Sequence, residues 1–200
     1  METLDAIFAR RSIGRLDAPA PTDDDLRTIL RAAAAAPDHL ELRPLRLVVL
    51  AGQAKDEFGT VLAAAYQARC EAGNVTVVPA KLEKERTKLG RAPVVVVVAA
   101  SDTTEGRIPF VEQVAGVAAA AQNALLAATA LGYGSMWRTG EPAYDPVVKR
   151  TLGLQDADEI VGFLYMGTIA PDRDQGPNDP DLEGLVTTWV SPRSGDPGPG

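Results

Sequence analysis

The sequence predicts an α+β fold in which helices flank a central mixed β-sheet. Residues 93–100 (PVVVVVAA) form a continuous apolar run that opens with proline, which is typical of a strand buried on both faces. Residues 45–51 (LRLVVLA) are also strand-like. Residues 111–131 are apolar on nearly every side, as expected of a buried central helix. Amphipathic segments around these runs predict helices that cover the sheet.

Each helix in the first half of the chain has its own signal. Residues 3–11 carry apolar side chains at helical spacing and end in basic residues, which suit a helix C-terminus. A helix over 22–36 begins with a threonine cap and three aspartates, and Pro37 ends it. Residues 53–71 and 79–89 predict two further helices, of which the second is charged and is a candidate mobile lid.

The second half of the chain alternates between strands and a short helix. Residues 135–137 and 160–166 predict strands, and residues 142–152 predict a helix between them. Residues 171–184 are rich in Pro, Asp and Gly and have no apolar period, so we expect an irregular connection there.

The C-terminal end of the chain predicts an exchanged element followed by a tail. Residues 185–190 (LVTTWV) have the composition of one more strand. Because a long irregular arm tethers this strand, it is a candidate for pairing with another subunit. Residues 191–200 (SPRSGDPGPG) are expected to be disordered. No internal repeat is evident, so residues 1–190 are predicted to form a single domain.

Composition and charge limit the classes of function. A net charge of −7 argues against nucleic-acid binding. The single cysteine, Cys70, can form no internal disulfide and fits a reducing cytoplasm, and no secretory leader is evident. The long apolar helix contains four polar residues, so we expect it in a protein core and not in a membrane. These are Glu112, Gln113, Gln122 and Asn123.

Arg10, Arg11 and Ser12, at the end of the first predicted helix, are candidate phosphate ligands. A guanidinium group binds phosphate through two parallel hydrogen bonds, and a serine hydroxyl or its backbone N–H can add another. An acidic protein that binds an anion must concentrate positive charge locally, which makes the arginine pair more notable. The alternative is a pair of solvated arginines that interact with the helix dipole.

Residues 132–140 (GYGSMWRTG) form a second candidate site segment directly after the long helix. The glycines allow the backbone to approach a flat ligand closely, while Trp137, Arg138 and Thr139 supply a ring, a charge and a hydroxyl. The alternative is a glycine C-cap followed by a core strand, which would leave the charge of Arg138 unexplained. Together with the arginine–serine segment, these residues suggest a flavin mononucleotide (FMN) site.

His39 is the only histidine, and its imidazole can stack on a ring or hydrogen-bond to it. The alternative is a histidine with no role in a site. One histidine and one cysteine are too few for a zinc or di-iron centre. The chain has no nucleophile elbow, Walker A loop or early G-x-G-x-x-G motif, so Cys70 is interpreted as a bystander and a pyridine nucleotide as a visiting substrate.

Four segments in this order resemble the nitroreductase family, and most of all its compact YdjA-like branch. They are residues 8–39 (from FARRSIG to APDH), Arg43-Pro44, residues 110–140 with Glu112-Gln113 and the WRTG ending, and residues 160–168 (IVGFLYMGT). The resemblance extends over about residues 2–190.

The resemblance implies a homodimer with two FMN sites at the subunit interface, each built from both chains. Arg10, Arg11 and Ser12 of one subunit would hold the phosphate and the nearby flavin edge, and His39, Trp137, Arg138 and Thr139 would contact the same cofactor. The segment implied to bind the nicotinamide nucleotide consists of Ala127, Ala128, Thr129, Ala130, Leu131 and Gly132.

The activity implied by the resemblance is transfer of hydride from NADH or NADPH, through the flavin, to nitroaromatic or quinone-like acceptors. The chain departs from the family pattern in three places. Leu45 replaces a tryptophan, Ala35 and Ala36 stand where an arginine is frequent, and Gly14 replaces a basic residue. These departures motivate an alternative, an FMN-storage protein with little turnover. A flavin dehydrogenase dedicated to one biosynthetic substrate is a further alternative.

Overall fold

Four strands form the central sheet of the computed structural model, which describes residues 1–103, 107–173, 178 and 180–189. The strands are β1 (Leu45–Ala51), β2 (Val94–Ala100), β3 (Gly134–Arg138) and β4 (Glu159–Gly167). Their order in the sheet is β1–β2–β4–β3, and each neighbouring pair is antiparallel. The predicted strands over 45–51, 93–100, 135–137 and 160–166 are therefore all present.

Seven α-helices surround this sheet in the described part of the chain. They are α1 (Thr3–Ala9), α2 (Asp23–Ala34), α3 (Gly52–Ala72), α4 (Pro79–Thr87), α5 (Phe110–Ala130), α6 (Glu141–Tyr144) and α7 (Pro146–Thr151). Short 3₁₀ turns occur at His39–Glu41, Lys88–Arg91 and Pro171–Arg173. The fold is thus α+β with helices on both faces of the sheet.

Strand β2 is the centre of the hydrophobic core, and all seven of its residues are buried. Alternate side chains point to opposite faces of a strand. Val95 and Val97 accordingly pack in a cluster with residues of α3, whereas Val94 and Val96 pack in a second cluster with residues of α2 and α5. Burial on both faces confirms what the continuous valine run predicts.

Helices α2 and α5 form the layer over one face of the sheet. The Thr22 hydroxyl accepts a hydrogen bond from the backbone N–H of Asp25 (3.2 Å), which confirms the predicted N-cap of α2. The middle of α5 presents small buried residues to the sheet, so the predicted central helix is also confirmed. No helix in the described ranges is both long and apolar enough to span a membrane.

Helix α4 packs closely on α3 on the other face of the sheet. Gly59 makes this possible, because a Cβ there would lie 2.1 Å from the carbonyl oxygen of Arg86. Glu85 is buried and accepts a hydrogen bond from Lys88 (2.6 Å). The charges that suggested a mobile lid therefore belong to a helix that is packed against its neighbour along its length.

Two differences from the predicted helix boundaries matter for the description of the site. The first helix ends at Ala9, so the arginine–serine segment lies in a loop and not in a last helical turn. The predicted helix over 142–152 is divided into α6 and α7, because Asp145 precedes Pro146 and adopts an extended conformation (φ −81°, ψ 121°). The Asp145 carboxylate caps α7 by accepting hydrogen bonds from the N–H groups of Val147 (2.8 Å) and Val148 (3.2 Å).

Of the predicted strand over 185–190, residues 185–189 are described, and they pair with no other strand in the described part of the chain. Residues 185–189 have no regular secondary structure, and Leu185, Val186 and Trp189 are exposed. A strand needs a partner to supply its hydrogen bonds, and the described residues offer none at this position. Exchange of this segment with a second subunit stays a prediction. Val190 and the predicted disordered tail over 191–200 lie outside the described residues.

Candidate functional site

The segment that follows α1 is attached to the first residues of β3. Ser12 forms a parallel β-bridge with Ser135, and the N–H of Ile13 donates to the carbonyl oxygen of Ser135 (3.0 Å). This bridge is the parallel contribution to an otherwise antiparallel sheet. It fixes Arg10, Arg11 and Ser12 beside the start of β3, which ends in Trp137 and Arg138 and is followed by Thr139.

Arg10 and Arg11 are half-buried cations that form no ion pair with the carboxylates of the described residues. One nitrogen of Arg11 donates only long hydrogen bonds to the carbonyl oxygens of Phe8 (3.4 Å) and Arg10 (3.3 Å). Since a guanidinium group has five N–H donors, most of the hydrogen-bonding capacity of Arg11 is available to an anion.

Arg11 lines a cavity of about 280 Å³ between the N-terminal segment, the end of α5 and the start of β3. The other lining residues are Ala9, Ile13, Thr129, Tyr133, Gly134, Ser135 and Ile169. The Ser135 hydroxyl is buried and has no hydrogen-bond partner in the described part of the chain. A buried hydroxyl without a partner is rare, and a bound ligand is one explanation for it. The donors at this cavity fit the phosphate of FMN.

Trp137 and Arg138 point to opposite faces of the sheet. The Trp137 indole N–H donates to the carbonyl oxygen of Val161 (3.1 Å), and its ring lies directly over Gly162. Arg138 is exposed at a cavity that is also lined by Tyr165, and its Nε lies 2.9 Å from the Met136 sulfur. Because Arg138 is exposed to solvent, its charge can be accommodated in a strand that is otherwise apolar.

Thr139 lies at the edge of an open apolar cleft of about 840 Å³. The remaining lining residues are Phe110, Val111, Val114, Tyr144, Glu159, Ile160 and Val161. Gly140 follows with φ 111°, a conformation that favours glycine and turns the chain into α6. The cleft is flat and apolar enough to accept an aromatic ring.

His39 lies in a strained turn beside the N-terminal half of α5. Leu40, Glu41 and Arg43 have φ between 53° and 54°, a region that non-glycine residues adopt only when their surroundings enforce it. Asp38 supports the turn, since its carboxylate accepts from the N–H of Arg43 (2.8 Å). The turn borders a cavity of about 400 Å³, which is also lined by Leu45, Glu112, Gln113, Gly116 and Val117.

His39 lies apart from the other candidate residues, on a different face of α5 or toward its other end. The His39 cavity and the Thr139 cleft are lined by different faces of this helix, because successive helical residues are rotated by about 100°. Thr129, which lines the Arg11 cavity, follows Gly116 of the His39 cavity by about 20 Å along the helix axis. One chain therefore brings the arginine–serine segment, residues 127–132 and β3 together, but does not bring His39 to them.

The segment over 127–132 is only partly accessible. Ala128 is completely buried on the side of α5 that faces the core, whereas Ala130, Leu131 and Gly132 are exposed. Ala127 and Thr129 are half-buried. The Thr129 hydroxyl donates to the carbonyl oxygen of Leu125 (3.0 Å) and is therefore already used. Contacts to a nucleotide from this segment would come from its exposed end.

Tyr133 and Asp25 form a polar contact that the sequence alone did not reveal. The Tyr133 hydroxyl donates to the Asp25 carboxylate (2.7 Å), and the Thr22 hydroxyl donates to the same oxygen (2.7 Å). These hydrogen bonds lower the pKa of Asp25, and the contact with Asp25 raises the pKa of Tyr133. Thr22 and Asp25 have recognisable capping spacing, but nothing in the sequence points to their distant partner.

Comparisons with known proteins agree with this architecture. The model of the nitroreductase family matches residues 7–168. The chain is 35% identical to YdjA of Escherichia coli (strain K12), which carries the name of an NAD(P)H nitroreductase, over 94% of this chain and 99% of that protein.

Solved structures show the same fold. A nitroreductase-like family protein from Bacillus cereus superposes with a TM-score of 0.78 and 21% identity, covering 96% of this chain and 97% of that one. A protein from Desulfovibrio desulfuricans, described as a nitroreductase in complex with FMN, superposes with a TM-score of 0.69 and 25% identity. That alignment covers 96% of this chain and 99% of the other.

Proposed function

The chain belongs to the nitroreductase family, and from this premise we propose that it is an FMN-dependent oxidoreductase that transfers hydride from NADH or NADPH to nitroaromatic or quinone-like acceptors. The observation that carries the proposal is the cavity in which, among the described residues, Arg11 has no ion pair and the neighbouring hydroxyl of Ser135 has no hydrogen-bond partner. FMN, when bound, supplies the hydride-accepting and hydride-donating ring. The chain's own residues bind and orient the reactants.

Arg10, Arg11 and Ser12 would hold the phosphate, because two cations and a hydroxyl lie together beside the start of β3. Trp137, Arg138 and Thr139 would contact the ribityl chain or the ring at the sheet edge formed by β3, which side chains of both faces can reach. A strand rises by about 3.3 Å per residue, so residues 135 to 139 cover roughly 13 Å.

The active form is proposed to be a homodimer. Because α5 keeps His39 away from the arginine–serine segment of its own chain, His39 would reach the cofactor held by a second subunit. Residues 127–132 would contact the nicotinamide nucleotide, and the apolar cleft beside Thr139 offers a place for a flat acceptor. A single domain over 1–190 and a cytoplasmic location complete the proposal.

FMN storage with little turnover is the second candidate function. It is favoured by Leu45, which lines the His39 cavity where many family members have a tryptophan ring. Ala35, which stands where an arginine is frequent, is exposed next to this cavity. The His39 side of the site thus offers fewer groups that could bind the ring.

The visible spectrum of the purified protein with FMN, recorded before and after anaerobic addition of NADPH or NADH, separates the two functions. We expect a bound-flavin spectrum that bleaches with at least one donor and returns when a nitroaromatic or quinone is added. Bound flavin that neither donor bleaches would indicate storage. Absence of bound flavin would contradict both functions.

Arg10→Ala tests the phosphate-binding segment directly. We expect the variant to weaken FMN binding by about 1.5–3 kcal/mol, the range for a hydrogen bond to a charged group. Arg27→Ala, which removes an exposed arginine of α2, is the matched control and should leave the dissociation constant unchanged. Equal FMN affinity of Arg10→Ala and the wild type, measured by fluorescence titration, would refute the assigned role.

A further inference from the structure

Ser135 has a hydroxyl that the fold does not use. The residue is 2% exposed, and its Oγ has no hydrogen-bond partner among the described residues. Its backbone, in contrast, is part of the sheet: Ser135 lies opposite Met166 of β4, and its carbonyl oxygen accepts a hydrogen bond from the N–H of Ile13 (3.0 Å). Alanine would satisfy every backbone contact at this position. The hydroxyl therefore requires another explanation than folding.

The neighbouring hydroxyls at the same cavity are already engaged. Thr129 donates to Leu125, and Tyr133 donates to Asp25. Arg11 is half-buried at this cavity and has no carboxylate partner in the described ranges. The free polar groups that line the cavity are consequently one guanidinium group and one buried hydroxyl.

A cation and a hydroxyl donor that share a cavity match the oxygen atoms of an anion. A phosphoryl oxygen accepts charge-assisted hydrogen bonds from arginine and a further hydrogen bond from serine. A carboxylate lining the cavity would oppose such a ligand, and none is present among its lining residues.

We propose that the Ser135 hydroxyl is a further ligand-binding group, which donates a hydrogen bond to a phosphoryl oxygen held by Arg11. This inference rests on the proposed function for the identity of the ligand. The phosphoryl group belongs either to FMN or to the nicotinamide dinucleotide, because Arg11 and Thr129, one residue from each predicted binding segment, line the same cavity. Ser135 thereby contributes to discrimination between phosphorylated and unphosphorylated ligands.

Ser135→Ala tests this role with two affinities and one stability measurement. We expect the dissociation constant of FMN to rise about tenfold, the effect of one lost hydrogen bond to a charged group, while that of riboflavin changes less than about twofold. The thermal midpoint of the ligand-free variant should stay equal or rise, since the substitution removes an unpaired buried hydroxyl. Ser101→Ala, a half-buried serine at the end of β2, is the matched control and should alter neither affinity.

The outcomes distinguish the two sources of the phosphoryl group. If FMN affinity falls and riboflavin affinity is unchanged, the phosphoryl group that Ser135 binds is the phosphate of FMN. Unchanged FMN affinity with a tenfold loss of NADH or NADPH affinity, measured on the FMN-loaded protein, assigns the dinucleotide. Equal losses for FMN and riboflavin, no loss for any ligand, or a lowered thermal midpoint of the ligand-free variant would overturn the proposal.

Failure of the proposed function gives a different result. A wild-type protein that binds FMN but transfers no hydride contradicts the enzymatic function, while the affinity comparison still decides the role of Ser135. A wild-type protein that binds neither flavin nor dinucleotide contradicts both proposals.

Discussion

Tyr165 is a buried side chain of the sheet whose ionisation makes the stability of the fold depend on pH. It lies on β4 and lines the cavity beside Arg138. Burial raises the pKa of its phenol to about 12, although the nearby charges of Arg138 and Arg91 act in the opposite direction. The phenol is therefore un-ionised throughout the neutral range, and Arg138 faces a neutral group and not a phenolate.

The raised pKa of Tyr165 predicts a loss of stability at alkaline pH. In the unfolded chain the phenol ionises near its ordinary value of about 10, whereas in the folded protein it keeps its proton to about 12. Stability from this residue is thus constant below pH of about 10 and decreases as the pH rises toward 12, by up to about 2–3 kcal/mol.

Urea unfolding of the wild type and of Tyr165→Phe between pH 7 and about 11.5 measures this effect, since the difference between them cancels the other titrating groups. We expect the wild type to lose stability relative to Tyr165→Phe only above pH of about 10. A pH-independent difference would show that Tyr165 ionises equally in the folded and unfolded states.

Single residues also mark the limit of what the sequence predicts about the site. Arg10, Arg11 and Ser12 could be proposed because paired arginines and a hydroxyl are typical of phosphate ligands whatever their surroundings. Ser135 could not, because the feature that singles it out is a buried hydroxyl with no hydrogen-bond partner among the described residues, which only the structure shows. Tyr133 likewise meets Asp25 across more than one hundred positions of sequence.

At the scale of elements, the approach of α3 and α4 depends on one glycine. A Cβ at Gly59 would lie 2.1 Å from the Arg86 carbonyl oxygen, which belongs to the backbone and cannot rotate away. Gly59→Ala should therefore separate the two helices and lower the free energy of unfolding by about 1–3 kcal/mol. Gly90→Ala is the matched control, because a Cβ there has no neighbour within 4 Å.

Thermal and urea unfolding measure the stabilities of Gly59→Ala and Gly90→Ala relative to the wild type. We expect Gly90→Ala to change the free energy of unfolding by less than about 1 kcal/mol. Equal stabilities of Gly59→Ala and Gly90→Ala would mean that α4 can move away from α3 at no cost, as a lid does.

Elements with a strong local pattern were predictable, and those that depend on a partner were not. The valine run of β2 and the cap of α2 contain their own evidence, and both are confirmed. The break between α6 and α7 was missed because apolar spacing continues across Pro146. Residues 185–190 have strand composition, but composition cannot tell whether the chain itself supplies the neighbouring strand.

At the scale of the whole molecule, apolar surface remains at both ends of the chain. Leu4, Ile7 and Phe8 of α1 are exposed. The C-terminal segment exposes Leu182, Leu185, Val186 and Trp189, the last of them at 80%. Apolar side chains concentrated in this way are typical of a surface that another protein chain covers. The predicted homodimer with exchanged C-terminal segments would bury them.

Truncation after Pro180 tests this arrangement. We expect the wild type to be a dimer by light scattering, and the truncated chain to dissociate at protein concentrations at which the wild type stays dimeric. FMN affinity should fall together with dimerisation, because His39 would no longer meet the cofactor of a second subunit. Truncation after Val190, which leaves the apolar residues in place, should preserve both properties. A monomeric wild type that binds FMN fully would contradict a site shared between chains.

Helix α5 contributes residues to the His39 cavity, the Thr139 cleft and the Arg11 cavity, and its buried alanines hold it against the sheet. A larger side chain at one of these alanines would shift the whole helix and with it all three cavities. A mutation in the core of α5 that changes one cavity therefore changes the other two as well. Exposed positions of α5 permit gradual change, whereas a substitution at a buried position would alter all three cavities in a single mutational step.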